Sequence, residues 1–418
     1  MKIKNLYARE ILDSKGQPTV EAEVTLEDNT KALAQVPAGA STGKNEAVEL
    51  RDNDQSRFWG KGVLQAVANI KGPIKKALVG KNADDQKLID KILIELDGTS
   101  NKAKLGANAM VAISMAVCRA AARSQKIPLY QYFGQLSGNK IFSLPQPQIL
   151  ILEGGKHGNW STDIQEYMMV PKKDKFASFK EMLRAGAEVF CQLEKLLKEK
   201  NYATGVGFEG AFMPKEIKSN EEAFQLIIKA VEMAGYQLPD QIVLAVDGAA
   251  SEFYQNGQYQ LKSEGSISLS PRQWSDKIIA WTKKYPIWSL EDMHDQEDWQ
   301  EWVYLTKKIG NNIQVVGDDL LTTNTVRISK AIDLKAVNSV LIKLNQIGTV
   351  TETLAAIKLS DSADFPTVIS HRGGETNDDM IADLVVGTTS WQSKFGGPDR
   401  GERLAKYNRL LRIEEQLS

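Results

Sequence analysis

The chain has 418 residues, with 52 Lys+Arg against 53 Asp+Glu and a formal net charge of -1. That length exceeds what one hydrophobic core usually serves, and so balanced a charge gives no long-range attraction to a phosphate backbone or an anionic lipid surface. Two compact units are expected, with neither nucleic acid nor membrane as a partner. The start, MKIKNLYARE, lacks the apolar stretch of a signal peptide, and no window approaches the roughly 18 apolar residues of a membrane span. Cys118 and Cys191 sit in apolar, helix-like runs without C-x-x-C spacing, so a disulfide scaffold and a zinc ribbon are both unsupported and a reducing cytoplasm fits.

In chain order, residues 6–36 read as three strands: VEAEVTL alternates with a period of two, and Gly16-Gln17-Pro18 and Asp28-Asn29 are turns. The stretch PAGASTGKNE, residues 37–46, reads as a mobile loop of small residues, a pattern that ordinary connectors share. Residues 60–133 turn helical, and 105–122 are so rich in Ala and Met that they must lie between other elements. This gives an N-terminal α+β capping domain, a three-stranded meander plus helices, over residues 1–137. Ser137-Gly138-Asn139 and two prolines mark 135–147 as the boundary segment. From residue 138 to 418, short apolar runs alternate with amphipathic helical ones, the pattern of a TIM-type α/β barrel with a largely parallel sheet. The predicted strands are 164–170, 242–246, 287–290, 313–316, 339–342 and 367–370. The predicted helices include 176–200, 221–234, 271–284 and 350–360.

Five of those strands end on an ionisable residue: Asp247 after IVLAV, Glu291 after IWSL, Asp318 after IQVVG, Lys343 after SVLI and His371 after TVIS. In a barrel whose strands all point one way, these ends converge on one mouth, where catalytic groups come from. Each residue alone has an ordinary explanation, since an acid after a strand often caps the next helix and a buried His is often only a satisfied core group. Together, three carboxylates in one mouth repel one another unless a cation or a proton holds them. An all-oxygen set suits Mg²⁺ rather than zinc. Beside such an ion an ammonium is pushed toward its neutral form, which makes Lys343 a candidate base; a salt bridge to Asp318 or Glu291 would place it in the same position.

Six dispersed motifs then align with one family: AREILDSKGQPTVE, GASTGKNEAVELRD, VDGAASEF, LIKLNQIGT, SHRGGET and GERLAKYNRLLRIEE. The chain resembles the enolase (phosphopyruvate hydratase) family over essentially its whole length. The resemblance implies two Mg²⁺ per site, the first on Asp247, Glu291 and Asp318 and the second on Ser41. It implies that Lys343 removes the proton next to the substrate carboxylate while Lys394 and the metals stabilise the ene-diolate. Glu209, seconded by Glu166, would protonate the departing hydroxyl. Gln165, His157 and His371 would line the pocket, Ala40 and Ser41 would approach the substrate from the loop, and Arg372, next to Gly373, would grip the phosphate through its donor fork. A homodimer or higher oligomer built on the small domain is also implied.

The departures from the family pattern cluster. Ala38 and Asn45 stand where the loop motif usually has Ser and His, Glu153 replaces the Asn of Asn-Gly-Gly, and Phe208 replaces the Asp of Gly-Asp-Glu-Gly. Gly373 replaces the Ser that follows the phosphate-binding arginine, and His294 stands where an aromatic residue is usual. The leading expectation is reversible dehydration of 2-phosphoglycerate to phosphoenolpyruvate. A specialised paralogue acting on a related phosphorylated or phosphonylated carboxylic acid, like the carboxyphosphonoenolpyruvate synthases, is the second. A non-catalytic binding or structural protein is the third, and the cost of burying an unused cluster of acids and lysines weighs against it.

Overall fold

The computed structural model describes residues 1–39 and 43–418. Strands β1 (Ile3–Leu12), β2 (Pro18–Leu26) and β3 (Lys31–Gln35) form an antiparallel meander in that order. Pro18 opens β2 rather than sitting in the turn, and Gly16 and Asn29 supply the positive φ that the two turns require. The Ala-rich helix Ala107–Ser124 lies across β2 and β3 with nearly every side chain buried, because small residues allow helix and sheet to approach closely.

The second part is a closed eight-stranded barrel. Its strands are β4 (Gln146–Glu153), β5 (Glu166–Pro171) and β6 (Ile242–Asp247), then, after a small antiparallel sheet of β7 (Tyr254–Gln255), β8 (Gln258–Leu261) and β9 (Ile267–Leu269), the remaining five. These are β10 (Ile287–Glu291), β11 (Gln314–Gly317), β12 (Ser339–Ile342), β13 (Thr367–Ser370) and β14 (Gln392–Lys394). Six barrel strands fall where the apolar runs predict them. β4 and β14 do not: β4 begins inside the proline-bearing boundary segment, and β14 carries Gln392, Ser393 and Lys394 in place of an apolar run.

The expectation that all strands point one way also needs correction. β5 runs antiparallel to both β4 and β6, while the other neighbouring pairs are parallel. The reversal brings the start of β5, not its end, to the mouth, so Glu166 pairs in register with Asp247 on one side and Glu153 on the other. Below the mouth the barrel interior is polar: Gln148, Gln314 and Gln392 exchange amide hydrogen bonds of 2.7–3.0 Å, and Gln314 donates to Ser289. Such a closed network keeps every buried amide paired.

The outer helices start where the chain offers side-chain caps: Ser178, Ser219, Asp298, Asn324 and Thr349 each accept a backbone N–H, and Ser270 with Gln273 forms a capping box ahead of Pro271. Ser178 sets the first of these helices at Phe179–Glu199, three residues inside its predicted start. Among the described residues, no helix is long and apolar enough to cross a membrane.

Candidate active site

Strand ends deliver Asp247, Glu291, Asp318, Lys343, His371 and Lys394 to the mouth, and the reversed β5 adds Gln165 and Glu166. They line or border one recess, with His157, Glu209, Arg372 and Gly373 around it. Ala40 and Ser41, expected from the loop, lie outside the described residues. The loop on either side of them is held down: Ala38 exchanges backbone hydrogen bonds with Gly374, the Lys44 N–H donates to Gln296, and Asn45 donates to Glu297.

Two groups of acids divide the recess. Lys394 sits in the first, 2.8 Å from Asp247 Oδ2, 2.8 Å from Glu291 Oε1 and 3.3 Å from Glu166 Oε2. Burial would lower the Lys394 pKa, but Asp247, Glu166 and Glu291 overcome it and hold the ammonium charged. The second is Asp292, Asp318 and Asp319, whose ligand atoms lie within 4.8 Å of one another. Of the expected metal trio only Asp318 belongs to it. Asp292 accepts the backbone N–H groups of Asp318 and Asp319 at 2.9 and 2.8 Å and so fixes both.

Lys343 Nζ is 2.5 Å from Asp318 Oδ2. Burial alone would lower the Lys343 pKa, yet Asp318 raises it above the ordinary value, so the lysine is an ammonium held by this one carboxylate. The salt bridge anticipated as the alternative to a base is therefore present. The two roles are compatible, because the charge of Asp318 is what keeps the proton on Lys343.

Across the recess, Glu209 stands between two imidazoles, with Oε1 3.4 Å from His157 Nδ1 and Oε2 3.7 Å from His371 Nε2. Arg403 donates to His371 Nδ1 at 2.7 Å, and since a guanidinium can only donate, the His371 proton is on Nε2, facing Glu209. Burial would raise Glu209, but His371 and His157 outweigh it and hold the carboxyl well below its ordinary range. Glu166 moves the other way, raised by burial and then by Glu209. The two carboxyls of this pair are thus shifted in opposite directions.

Arg372 presents its fork as expected, but to a carboxylate of its own chain. Its terminal nitrogens lie 3.0–3.1 Å from the Glu46 oxygens, and Nη1 also donates to Asn345 Oδ1 at 3.2 Å. The Glu46 carboxylate stands there for the oxyanion the fork would grip. Gly373 contributes its carbonyl, which accepts from Arg403 at 2.8 Å.

Sequence reasoning missed Glu46, Asp292, Asp319 and Arg403. Asp292 and Asp319 carried a signal, since each directly follows a strand-end acid already singled out. Arg403 belonged to an aligned motif, but nothing local pointed its side chain at His371. The third histidine, His294, does not line the recess and is fully buried between Tyr259 and Ser275.

The recess suits a hard divalent cation. Burial and Asp247 push Glu291 well above its ordinary range, burial and Asp319 do the same to Asp292, and Asp319 is pushed up to about 8 by burial and Asp318. Acids packed this way relieve one another by taking up protons or by sharing a cation. Several buried atoms facing the recess, among them Gln165 Oε1 and His157 Nε2, have no hydrogen-bond partner.

A barrel whose mouth gathers acids, two lysines and a donor fork fits a lyase-type enzyme. The comparison with known families agrees: residues 3–133 match the enolase N-terminal domain and residues 141–418 match the enolase C-terminal TIM barrel domain. The chain belongs to the enolase family.

Proposed function

We propose that the chain catalyses the reversible, Mg²⁺-dependent dehydration of 2-phosphoglycerate to phosphoenolpyruvate. The observation that carries this reading is the opposition of Lys343 on one wall of the recess to the Glu166–Glu209 pair on the other, with acids between them. Asp247, Glu291 and Asp318 would hold one Mg²⁺, with Asp292 and Asp319 behind them, and Ser41 would serve a second. When bound, Mg²⁺ neutralises the substrate carboxylate and the negative charge that grows on it as the neighbouring carbon loses its proton.

Lys343 takes that proton. It is available as a base once the charge of Asp318 is engaged elsewhere, because that charge does most to hold its own proton in place. Lys394, fixed among three carboxylates, keeps an ammonium close to the developing charge. On the opposite wall Glu166 stores a proton and Glu209, aligned by His157 and His371, directs it to the departing hydroxyl. Gln165 offers an unpartnered amide oxygen, and Arg372 exchanges Glu46 for the phosphate, so the substrate is a small phosphorylated carboxylic acid.

A second reading, a paralogue for a related phosphorylated or phosphonylated acid, draws support from Phe208. This ring, 41 % exposed, lies edge-on to His157 at 6.4 Å with Lys15 Nζ 5.5 Å above it. It makes the rim beside Glu209 apolar where the family usually has an acid. Formation of phosphoenolpyruvate from 2-phosphoglycerate by the purified protein with Mg²⁺ separates the two. Robust turnover establishes the first reading; tight Mg²⁺ binding without turnover overturns it in favour of the second.

A further inference from the structure

Glu153 ends β4 at the mouth of the barrel and is 0 % exposed, yet its carboxyl does not face the recess. It turns to the segment that carries Glu209. Oε1 accepts the backbone N–H groups of Glu209 and Ala211, each at 3.0 Å, and the Glu153 N–H donates to the Phe212 carbonyl at 2.8 Å. Three bonds from one residue therefore fix the backbone on both sides of Glu209. Oε2 is buried with no hydrogen-bond partner and lies against Gly207, where a Cβ would come within 2.1 Å of it. Only a glycine lets the segment lie flat on the carboxyl.

This arrangement sets a carboxyl beside the Glu209 carboxylate, which would be repulsive if both were ionised. Burial, then Glu209, pushes Glu153 up to about 8, so it is largely neutral at neutral pH. A neutral carboxyl can accept two N–H groups without opposing the charge of Glu209. The shorter side chain usual at this position reaches less far, so the longer acid and the glycine under it form one device.

We propose that Glu153 is a positioning residue of this enzyme, its carboxyl clamping residues 207–211 so that Glu209 stands between His157 and His371. The inference rests on the functional reading above for the reaction affected, and on the bond geometry for the clamp itself. It predicts a division between the two halves of the reaction. Withdrawing the clamp displaces Glu209 and slows loss of the hydroxyl, and leaves proton removal by Lys343, across the recess, unaffected.

The test uses Glu153→Ala, Glu153→Gln and Gly207→Ala in the full chain with Mg²⁺. In Glu153→Ala, kcat for dehydration of 2-phosphoglycerate should fall on the order of a hundredfold, the usual consequence of misplacing a catalytic group by about 1 Å. Exchange of the substrate's acidic proton should stay within about threefold, less than 1 kcal/mol. Glu153→Gln keeps the accepting oxygen and should match the parent. Gly207→Ala lifts the segment off an intact carboxyl and should reproduce the selective loss, which serves if the first variant does not fold.

Histidine imidazole NMR signals provide a readout that needs no turnover, because the chain has only three histidines. Those of His157 and His371 should move in Glu153→Ala while that of His294 stays. Equal losses of exchange and dehydration, unmoved signals, or a Gln variant as impaired as Ala would each overturn the clamp. If the parent itself does not turn over 2-phosphoglycerate, the functional reading fails, and the histidine signals still decide the clamp.

Discussion

Lys343→Met should uncouple stability from catalysis in a way that depends on the cation. The ammonium is 2.5 Å from Asp318 Oδ2, Asp318 is buried and Lys343 nearly so, and Asp292 and Asp319 crowd the same carboxylate. Breaking a buried pair by removing one partner typically costs about 3–5 kcal/mol, because a charge is left without its counter-charge. Urea unfolding in EDTA should show a loss of that order. In saturating Mg²⁺ the loss should shrink, since the cation supplies what the ammonium did. By the same reasoning Mg²⁺ should bind the variant about tenfold more tightly, roughly 1.4 kcal/mol, with a competing ammonium gone. Exchange of the substrate's acidic proton, followed by NMR in D₂O, should fall by about 10²- to 10⁴-fold, the usual contribution of a positioned base. Exchange at the parental rate, or equal destabilisation with and without Mg²⁺, would refute the assignment.

Glu209→Gln should leave proton exchange measurable and stop net dehydration, because the residue acts on the leaving group; equal loss of both steps in a quench assay would show that the walls do not divide the work. Glu46→Gln should lower KM for 2-phosphoglycerate by roughly ten- to a hundredfold, since charged hydrogen bonds of roughly 1.5–3 kcal/mol now hold Arg372 to its own chain; a raised KM would mean that Glu46 orients the fork instead of competing for it. His294, pushed down to about 3 by burial, binds its proton more readily unfolded than folded, so the stability it contributes is complete above pH 6.5 and is lost as pH falls toward 3. His294→Gln should flatten that acid limb by up to about 1.4 kcal/mol per pH unit in denaturant titrations, and an unchanged slope would contradict the assignment. Gly373→Ser should raise kcat/KM for 2-phosphoglycerate by up to roughly a hundredfold if the missing hydroxyl is a lost phosphate contact; a flat or lower value would show that the phosphate end has been rebuilt on other contacts.

The parts legible in the sequence are those in which one local pattern has one structural consequence. SVLI and TVIS are fully buried runs, and they form β12 and β13 at the predicted residues. The acid or base after each run was visible for the same reason. β14 was not, because a barrel interior that binds glutamines to one another accepts a polar strand whose sequence looks like a loop. The reversal of β5 was hidden too, since alternation reads the same in either direction. Contacts between distant segments left no local trace: Arg372 and Glu46 are 326 residues apart, and Glu153 and Glu209 are 56.

The reversed strand also sets the place of two of this chain's departures from its family, Glu153 and Phe208. The wall proposed to remove the proton rests on the ends of β6, β10, β11 and β12, four strands locked in parallel register, so any change there disturbs acids that constrain one another. The opposite wall, proposed to release the hydroxyl, is built differently. Because β5 runs backward, its start meets the end of β4, and the two are joined over the mouth by the segment that carries His157, with residues 207–211 laid against it. Loops set on a scaffold can change side chains without moving the strands beneath them. Glu153 and Phe208 both belong to this wall, and Glu153 lies against Gly207. Variation at Glu153 and Phe208, beside an intact acid and lysine centre, can alter how a hydroxyl departs, or which group departs, while the proposed removal of a proton from beside a carboxylate is kept.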